Sequence, residues 1–205
     1  MLNVPLRFAG LSATKIRFGR WCAFFLVLVT ALSCSTPETM LTPDADVTNI
    51  DPYNEQWIKA PEGWCEDSLH LVPVMAVVDG DTIVVGSGTK VRYIGVDAPE
   101  VYKDDCWADE ALSVLNELAP KGTLVCLLPD ANSSDKDPYG RLLRYVFFQH
   151  DGQWHMQNTH LVRVGAARAY KSYLKNKVYK NDILDSELSA RLENLGGWAA
   201  CTEWQ

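Results

Sequence analysis

Residues 69–100 read LHLVPVMAVVDGDTIVVGSGTKVRYIGVDAPE. Two apolar runs, LHLVPVMAVV and TIVVG, flank Asp79-Gly80-Asp81. Asp-Gly between runs rich in β-branched residues is a hairpin signal, because both residues tolerate the tight backbone of a short turn. After the turn-like Gly86-Ser87-Gly88, residues 90–96 (KVRYIGV) predict a third strand. The period then changes. Within 104–118, Trp107, Ala111, Val114, Leu115 and Leu118 recur at helical spacing, and Pro120 with Gly122 closes the segment. A fourth strand fits 123–128 (TLVCLL), a polar loop runs from Pro129 to Gly140, and a fifth strand fits 141–149 before the Asp151-Gly152 turn. Helical patterns return at 156–168 and at 182–195, where Leu184, Leu188, Leu192 and Leu195 form one stripe. Five strands with a helix after the third, then terminal helices, predict a mainly β fold with helices (α+β): a five-stranded Greek-key barrel of OB type with about three α-helices. The element order is also compatible with another α+β arrangement.

The chain has 205 residues with 47% apolar and 22% charged content, which suits one globular domain with additional segments. Residues 15–20 (KIRFGR) are basic, and 21–32 (WCAFFLVLVTAL) are uncharged. This run is too short to span a bilayer, which takes about 20 residues, and reads as a secretory signal. Its exit, Ala31-Leu32-Ser33-Cys34, resembles the bacterial lipobox, so Cys34 is expected to carry lipid. Ordinary cleavage that releases a soluble protein is the alternative. The expected organisation is a signal at 1–33, a Ser/Thr/Pro/Asp-rich tether at 34–62, and a folded domain at 63–205, held at a bacterial cell envelope.

Beyond Cys22 and Cys34, Cys65, Cys106, Cys126 and Cys201 remain. An even count in an exported chain predicts two disulfides. Three pairings are open; Cys65–Cys201 with Cys106–Cys126 is favoured because it ties the domain ends together. The spacing lacks the CxxC of a zinc site. The formal net charge is −7, and becomes −11 once a leader holding four positive and no negative residues is removed. Such a field repels polyanions at long range, so any phosphate chemistry must rest on a local basic site.

Four pieces can carry chemistry: Asp79-Gly80-Asp81-Thr82, Arg92 through Glu100 (RYIGVDAPE), Tyr139-Gly140-Arg141, and Met156 through Gly165 (MQNTHLVRVG). Each alone is ordinary. In this order and at these separations they resemble the thermonuclease (staphylococcal nuclease) family, over roughly Leu69 to Trp198. The resemblance implies a Ca²⁺-dependent endonuclease that acts on DNA and RNA with little sequence specificity. It would break the 5′ P–O bond and leave 3′-phosphates. The chain is expected to be a monomer.

The residues suit that chemistry. A phosphodiester repels nucleophiles, so its hydrolysis needs a cation on the phosphoryl oxygen, a base for water, and donors for the developing charge. Asp81 and Asp97 are candidate ligands for a hard cation, and the resemblance adds the main-chain carbonyl of Ala98, where the family often has Thr. Asp79 and Thr82 would support them. Glu100 is implied as the base or the group that orients water. Arg92 and Arg141 would bind phosphate through forked guanidinium groups. Tyr139, Tyr170 and Tyr173 offer stacking faces for bases.

Two departures touch substrate preference: the stretch from Glu100 to Ala111 is shorter than in the archetype, and Pro138 stands where a basic residue is frequent. The loop 130–137 (DANSSDKD) fails as an EF-hand, because position twelve from Asp130 is Arg141. The histidines (70, 150, 155, 160) fall outside the implied site. A binding module of the same fold, without catalysis, is the competing reading, and the acidity favours it.

Overall fold

A computed structural model describes residues 57–205. The expected leader, Cys22, the Cys34 expected to carry lipid, and the expected tether up to residue 56 lie outside the described residues. Residues 57–62, expected as tether, instead join the fold. Met156 N–H donates to Ile58 O (2.8 Å) and Ala60 N–H to Trp154 O (3.0 Å), and Trp57, Ile58 and Ala60 pack on the core.

The opening hairpin forms as read. Strand β1 (Leu71–Asp79) pairs antiparallel with β2 (Thr82–Val85), and Asp79 faces Thr82 across the turn. Register breaks at Val74/Ala76 and Val77/Asp79 bend β1, the usual device for closing a barrel. β3 (Thr89–Tyr93) continues antiparallel from β2. The expected third strand is interrupted at Gly95, whose φ of +75° turns the chain into the short β4 (Val96–Asp97). A side chain at Gly95 would collide with Leu174 and Ile183, so both the turn and the packing require glycine.

Helix α1 (Ala108–Leu118) buries Ala111, Leu115 and Leu118, as its spacing predicts, and then β5 (Leu124–Leu128) and β6 (Leu142–His150) follow. β5 pairs antiparallel with β1 and β6, and β6 runs parallel to β3 at Val91↔Leu142. These contacts close a five-stranded OB-type barrel in an α+β chain. A strand absent from the sequence reading, β7 (Gln153–Met156), extends the sheet beyond β6.

Helix α2 (Gln157–Arg163) is shorter than expected, and residues 157–162 are all buried. Asn158 Oδ1 accepts Val146 N–H (2.9 Å), while its Nδ2 donates to Ile94 O (2.9 Å) and Arg144 O (3.3 Å). Gln157 accepts from Tyr93 and donates to Leu118 O (3.0 Å). These amides pin the helix to the barrel.

β8 (Arg168–Ala169) pairs with β4, and α3 (Lys180–Leu192) and α4 (Gly197–Ala200) finish the chain. The leucine stripe is corrected here: Leu188 and Leu192 are 55% and 78% exposed, and α3 turns Ile183, Glu187 and Ala190 inward. Glu187 is there because its carboxylate accepts Ala169 N–H (3.1 Å) and pairs with Lys171 Nζ (2.6 Å).

The disulfide pairing is also corrected. The bonds are Cys65–Cys126 and Cys106–Cys201, not Cys65–Cys201 and Cys106–Cys126. Cys65 is carried alongside β5, where Trp64 Nε1 donates to Leu127 O (3.2 Å), and so meets Cys126. The C-terminal turn brings Cys201 back to the loop before α1. Each end of the domain is stapled to its own neighbour instead of to the other end.

Candidate functional site

The hairpin tip sets the first carboxylate. Gly80 lies so close to Ala98 and α1 that an added Cβ would stand 2.7 Å from Ala98 Cβ and 2.9 Å from Ala111 Cβ. Glycine therefore lets the tip press against the 97–99 segment, and Asp81 is buried there at 4% exposure. Its backbone N–H donates to Asp79 Oδ1 (3.1 Å). Its carboxylate accepts from Thr82 Oγ1 (3.0 Å) and from Ala98 N–H (2.9 Å). Arg92, opposite Thr82 in the β2–β3 register, forms an ion pair with Asp81 through Nη1. Burial pushes the Asp81 carboxyl up to about 7, and Arg92 opposes that rise. The acid stays in a place that disfavours its charge.

Asp97 sits at the mouth, with its side chain 42% exposed. Arg92 Nη2 lies 3.7 Å from Asp97 Oδ1, and Arg168 Nη2 lies 3.8 Å from Asp97 Oδ2. A single guanidinium thus spans Asp81 and Asp97, so both carboxylates address one position of positive charge. The two carboxylates, together with the main-chain carbonyl of Ala98, whose own N–H is tied to Asp81, make an all-oxygen donor set, which fits a hard cation. Among the described residues, the trio Cys106, Cys201 and Glu203 also clusters at metal-ligand spacing, but the disulfide consumes both thiols.

Arg141, on the turn before β6, is held in place by Asp137. Its backbone N–H and Nε donate to the two Asp137 oxygens at 2.9 and 2.6 Å, and Nη1 reaches Thr82 Oγ1 at 3.4 Å. Burial works against the Asp137 charge, yet the hydrogen bonds and charge of Arg141 hold its carboxyl below the ordinary range. Glu100 is half-buried and precedes a short 3₁₀ turn. Its backbone is clipped by Asp105, which accepts Glu100 N–H (3.1 Å) and donates its own N–H to Glu100 O (3.4 Å).

These side chains line two adjoining hollows. Arg92, Asp97, Tyr139, Arg141, Tyr170 and Tyr173 line a cleft of about 350 Å³. Asp79, Thr82, Glu100, Tyr139 and Arg141 line a groove of about 790 Å³. Tyr139 and Arg141 are common to both, so Arg141 links the cleft lined by Arg92 to the groove lined by Glu100. Asp81 lines neither hollow; it is buried, and reaches the cleft through its ion pair with Arg92. Tyr139 is 85% exposed under the Arg141 guanidinium (5.6 Å). Tyr170 and Tyr173 stack at 6.0 Å, and Tyr173 OH is 2.6 Å from Ser133 Oγ.

Asp137, Lys136 and Arg168 join this constellation without having been singled out from sequence. Asp137 had a signal in its spacing of four from Arg141. Arg168 had none, because only the β4–β8 pairing brings it to Asp97. Asp130 is structural: it is buried and accepts from Asn132 N–H, Tyr145 OH and Val178 N–H at 2.7, 2.7 and 2.8 Å. The histidines stand apart from both hollows, His70 stacked on Trp64 and His160 on Trp57.

A family model described as "Staphylococcal nuclease homologue" matches residues 90–200, beginning just after the hairpin that carries Asp81. Endonuclease YncB of Bacillus subtilis (strain 168) is 34% identical over 161 residues, covering 74% of this chain and 74% of that protein. Thermonuclease of Staphylococcus intermedius is 33% identical over 129 residues, covering 61% of this chain and 74% of its own. Thermonuclease of Staphylococcus hyicus is 31% identical over 130 residues, with shares of 62% and 74%.

Proposed function

The chain belongs to the staphylococcal nuclease homologue family, and from that premise we propose that it is a Ca²⁺-dependent endonuclease that hydrolyses DNA and RNA with little sequence specificity. The observation that carries this reading is the convergence of Arg92, Asp97 and Arg141 on one cleft, with Glu100 in the adjoining groove that Arg141 also lines. A phosphodiester seated in the cleft meets two guanidinium groups. Arg141 is pre-aimed, because Asp137 fixes its Nε end and Thr82 steadies Nη1 through a long contact. Asp81, Asp97 and the Ala98 carbonyl would hold Ca²⁺, which when bound polarises a phosphoryl oxygen. Glu100 takes a proton from water, or orients it, as that water attacks phosphorus. The 5′ oxygen departs with the bonding pair and takes a proton from solvent, leaving a 3′-phosphate. The arginines stabilise the charge gathered on the oxygens; guanidinium holds its proton and is not the acid. Because no 2′-hydroxyl takes part, the same steps serve both sugars. The exposed tyrosines offer stacking that is indifferent to base identity.

The export signal and Cys34 support a lipoprotein at a bacterial cell envelope, with the acidic domain on a tether. Cleavage of single-stranded DNA and RNA by the full chain, in Ca²⁺ or chelator, tests the activity. The expectation is cleavage in Ca²⁺ alone, 3′-phosphate termini, and turnover reduced at least ~100-fold in Glu100→Gln, within the range for positioned acid–base groups. A folded protein that leaves both polymers intact in Ca²⁺ would overturn the reading.

A further inference from the structure

A third hollow, of about 430 Å³, adjoins the cleft at Asp97, the residue the two share. Arg168, Lys171, Arg191, Trp198 and Trp204 line it. The two tryptophans meet edge to face at 5.3 Å. The Arg168 guanidinium lies 5.2 Å over the Trp204 ring, and that of Arg191 lies 5.0 Å over the Trp198 ring. A guanidinium held on an indole face loses rotamer freedom but keeps its in-plane N–H donors, which suit two oxygens of one phosphate. The Cys106–Cys201 bond fastens this corner to the loop before α1.

The acidic side chains facing the hollow are already engaged, and Gln205 also lines it. Glu187 pairs with Lys171, and Asp97 lies between Arg92 and Arg168. Arg191 makes no ion pair among the described residues. A run of guanidinium groups therefore continues from Arg141 and Arg92, past Asp97, to Arg168 and Arg191. In a chain of net charge −7 it is a local exception.

We infer that this hollow is a second phosphate site, which holds a phosphate of the substrate strand next to the segment being cleaved. The inference rests on the nuclease reading and adds a preference for polymers over dinucleotides. Phosphate is the shared chemistry of a strand and of free inorganic phosphate; the continuity with the cleft through Asp97 favours the strand.

The test compares the full chain with Arg191→Gln, and with Arg163→Gln as a charge control, since Arg163 pairs with Glu193 and lines none of these hollows. Melting curves first establish that all three are folded. Binding of a fluorescein-labelled single-stranded 12-mer is then followed against salt, in chelator. Loss of one phosphate contact is expected to reduce the slope of log K on log salt by about 0.7 in Arg191→Gln alone. In Ca²⁺, the advantage of the 12-mer over a dinucleotide, as a ratio of kcat/KM, is expected to fall roughly tenfold, in keeping with one charge-assisted contact. Equal slopes and equal ratios in the two variants would overturn the inference while leaving the nuclease intact. Inorganic phosphate that binds with the same Arg191 dependence and displaces the 12-mer would reassign the hollow to free phosphate. A wild-type chain that neither binds nor cleaves would sink the nuclease reading, and this inference with it.

Discussion

Two groups of buried polar side chains serve different ends. On α2, Gln157 and Asn158 are fully enclosed, neutral, and bonded at both ends of each amide. At the hairpin tip, Asp81 is almost as deeply enclosed, yet burial drives its carboxyl up to about 7 despite Arg92 and the Ala98 N–H. The α2 amides satisfy barrel groups that would otherwise be orphaned, so their energy goes into the fold. The carboxylate is kept where its charge is disfavoured. A group held against stability points to chemistry, since uncommitted positions drift toward better-solvated arrangements.

The largest expected effect breaks the first group. Asn158→Ala removes the partners of Val146 N–H and Ile94 O at once. Leaving two buried backbone groups unpaired is expected to cost about 3 kcal/mol, read as a lower denaturant midpoint with unchanged slope. A loss confined to a few tenths of a kcal/mol would show that water or repacking replaces the amide.

A smaller effect sharpens the contrast through pH. His160 is the titratable member of α2, and burial, aided by Arg163, lowers it to about 4. The unfolded chain takes up this proton near pH 6.5 and the folded chain near 4, so stability is intact above about 6.5 and falls as pH drops to about 4. His160→Phe keeps an aromatic ring against Trp57 and removes this proton. Its melting temperature is expected to fall by a few degrees less than that of wild type across the window. Parallel curves would assign the acid sensitivity to other groups.

How much of this was legible in the sequence differs by element. The five barrel strands and α1 were, because alternation, the Asp79-Gly80 turn and a sustained helical period are local signals. β4 and β8 have two residues each and exist only because they find each other. The face of α3 was misread because a buried Glu187 sits where a local rule expects leucine. The cysteine pairing followed the path of the chain ends, which spacing does not encode. Asp81, Arg92, Asp97, Glu100 and Arg141 were readable as motif positions and do gather around adjoining hollows. Arg168 was not, because its neighbour Asp97 is 71 positions away in sequence and adjacent only in space.

Asp81→Asn, melted without metal at pH 8 and assayed for cleavage in Ca²⁺, tests most directly whether the hairpin carboxylate is kept for chemistry. A raised carboxyl pKa means the folded chain holds the proton longer than the unfolded chain, so Asp81 costs stability as pH rises from about 4 to 7 and above. The neutral amide removes that cost. The expected result is a melting temperature higher by a few degrees, together with cleavage reduced at least ~100-fold, the scale of losing one stabilising charge at a reacting centre. A variant that melts lower than wild type and cleaves as well as wild type would contradict it.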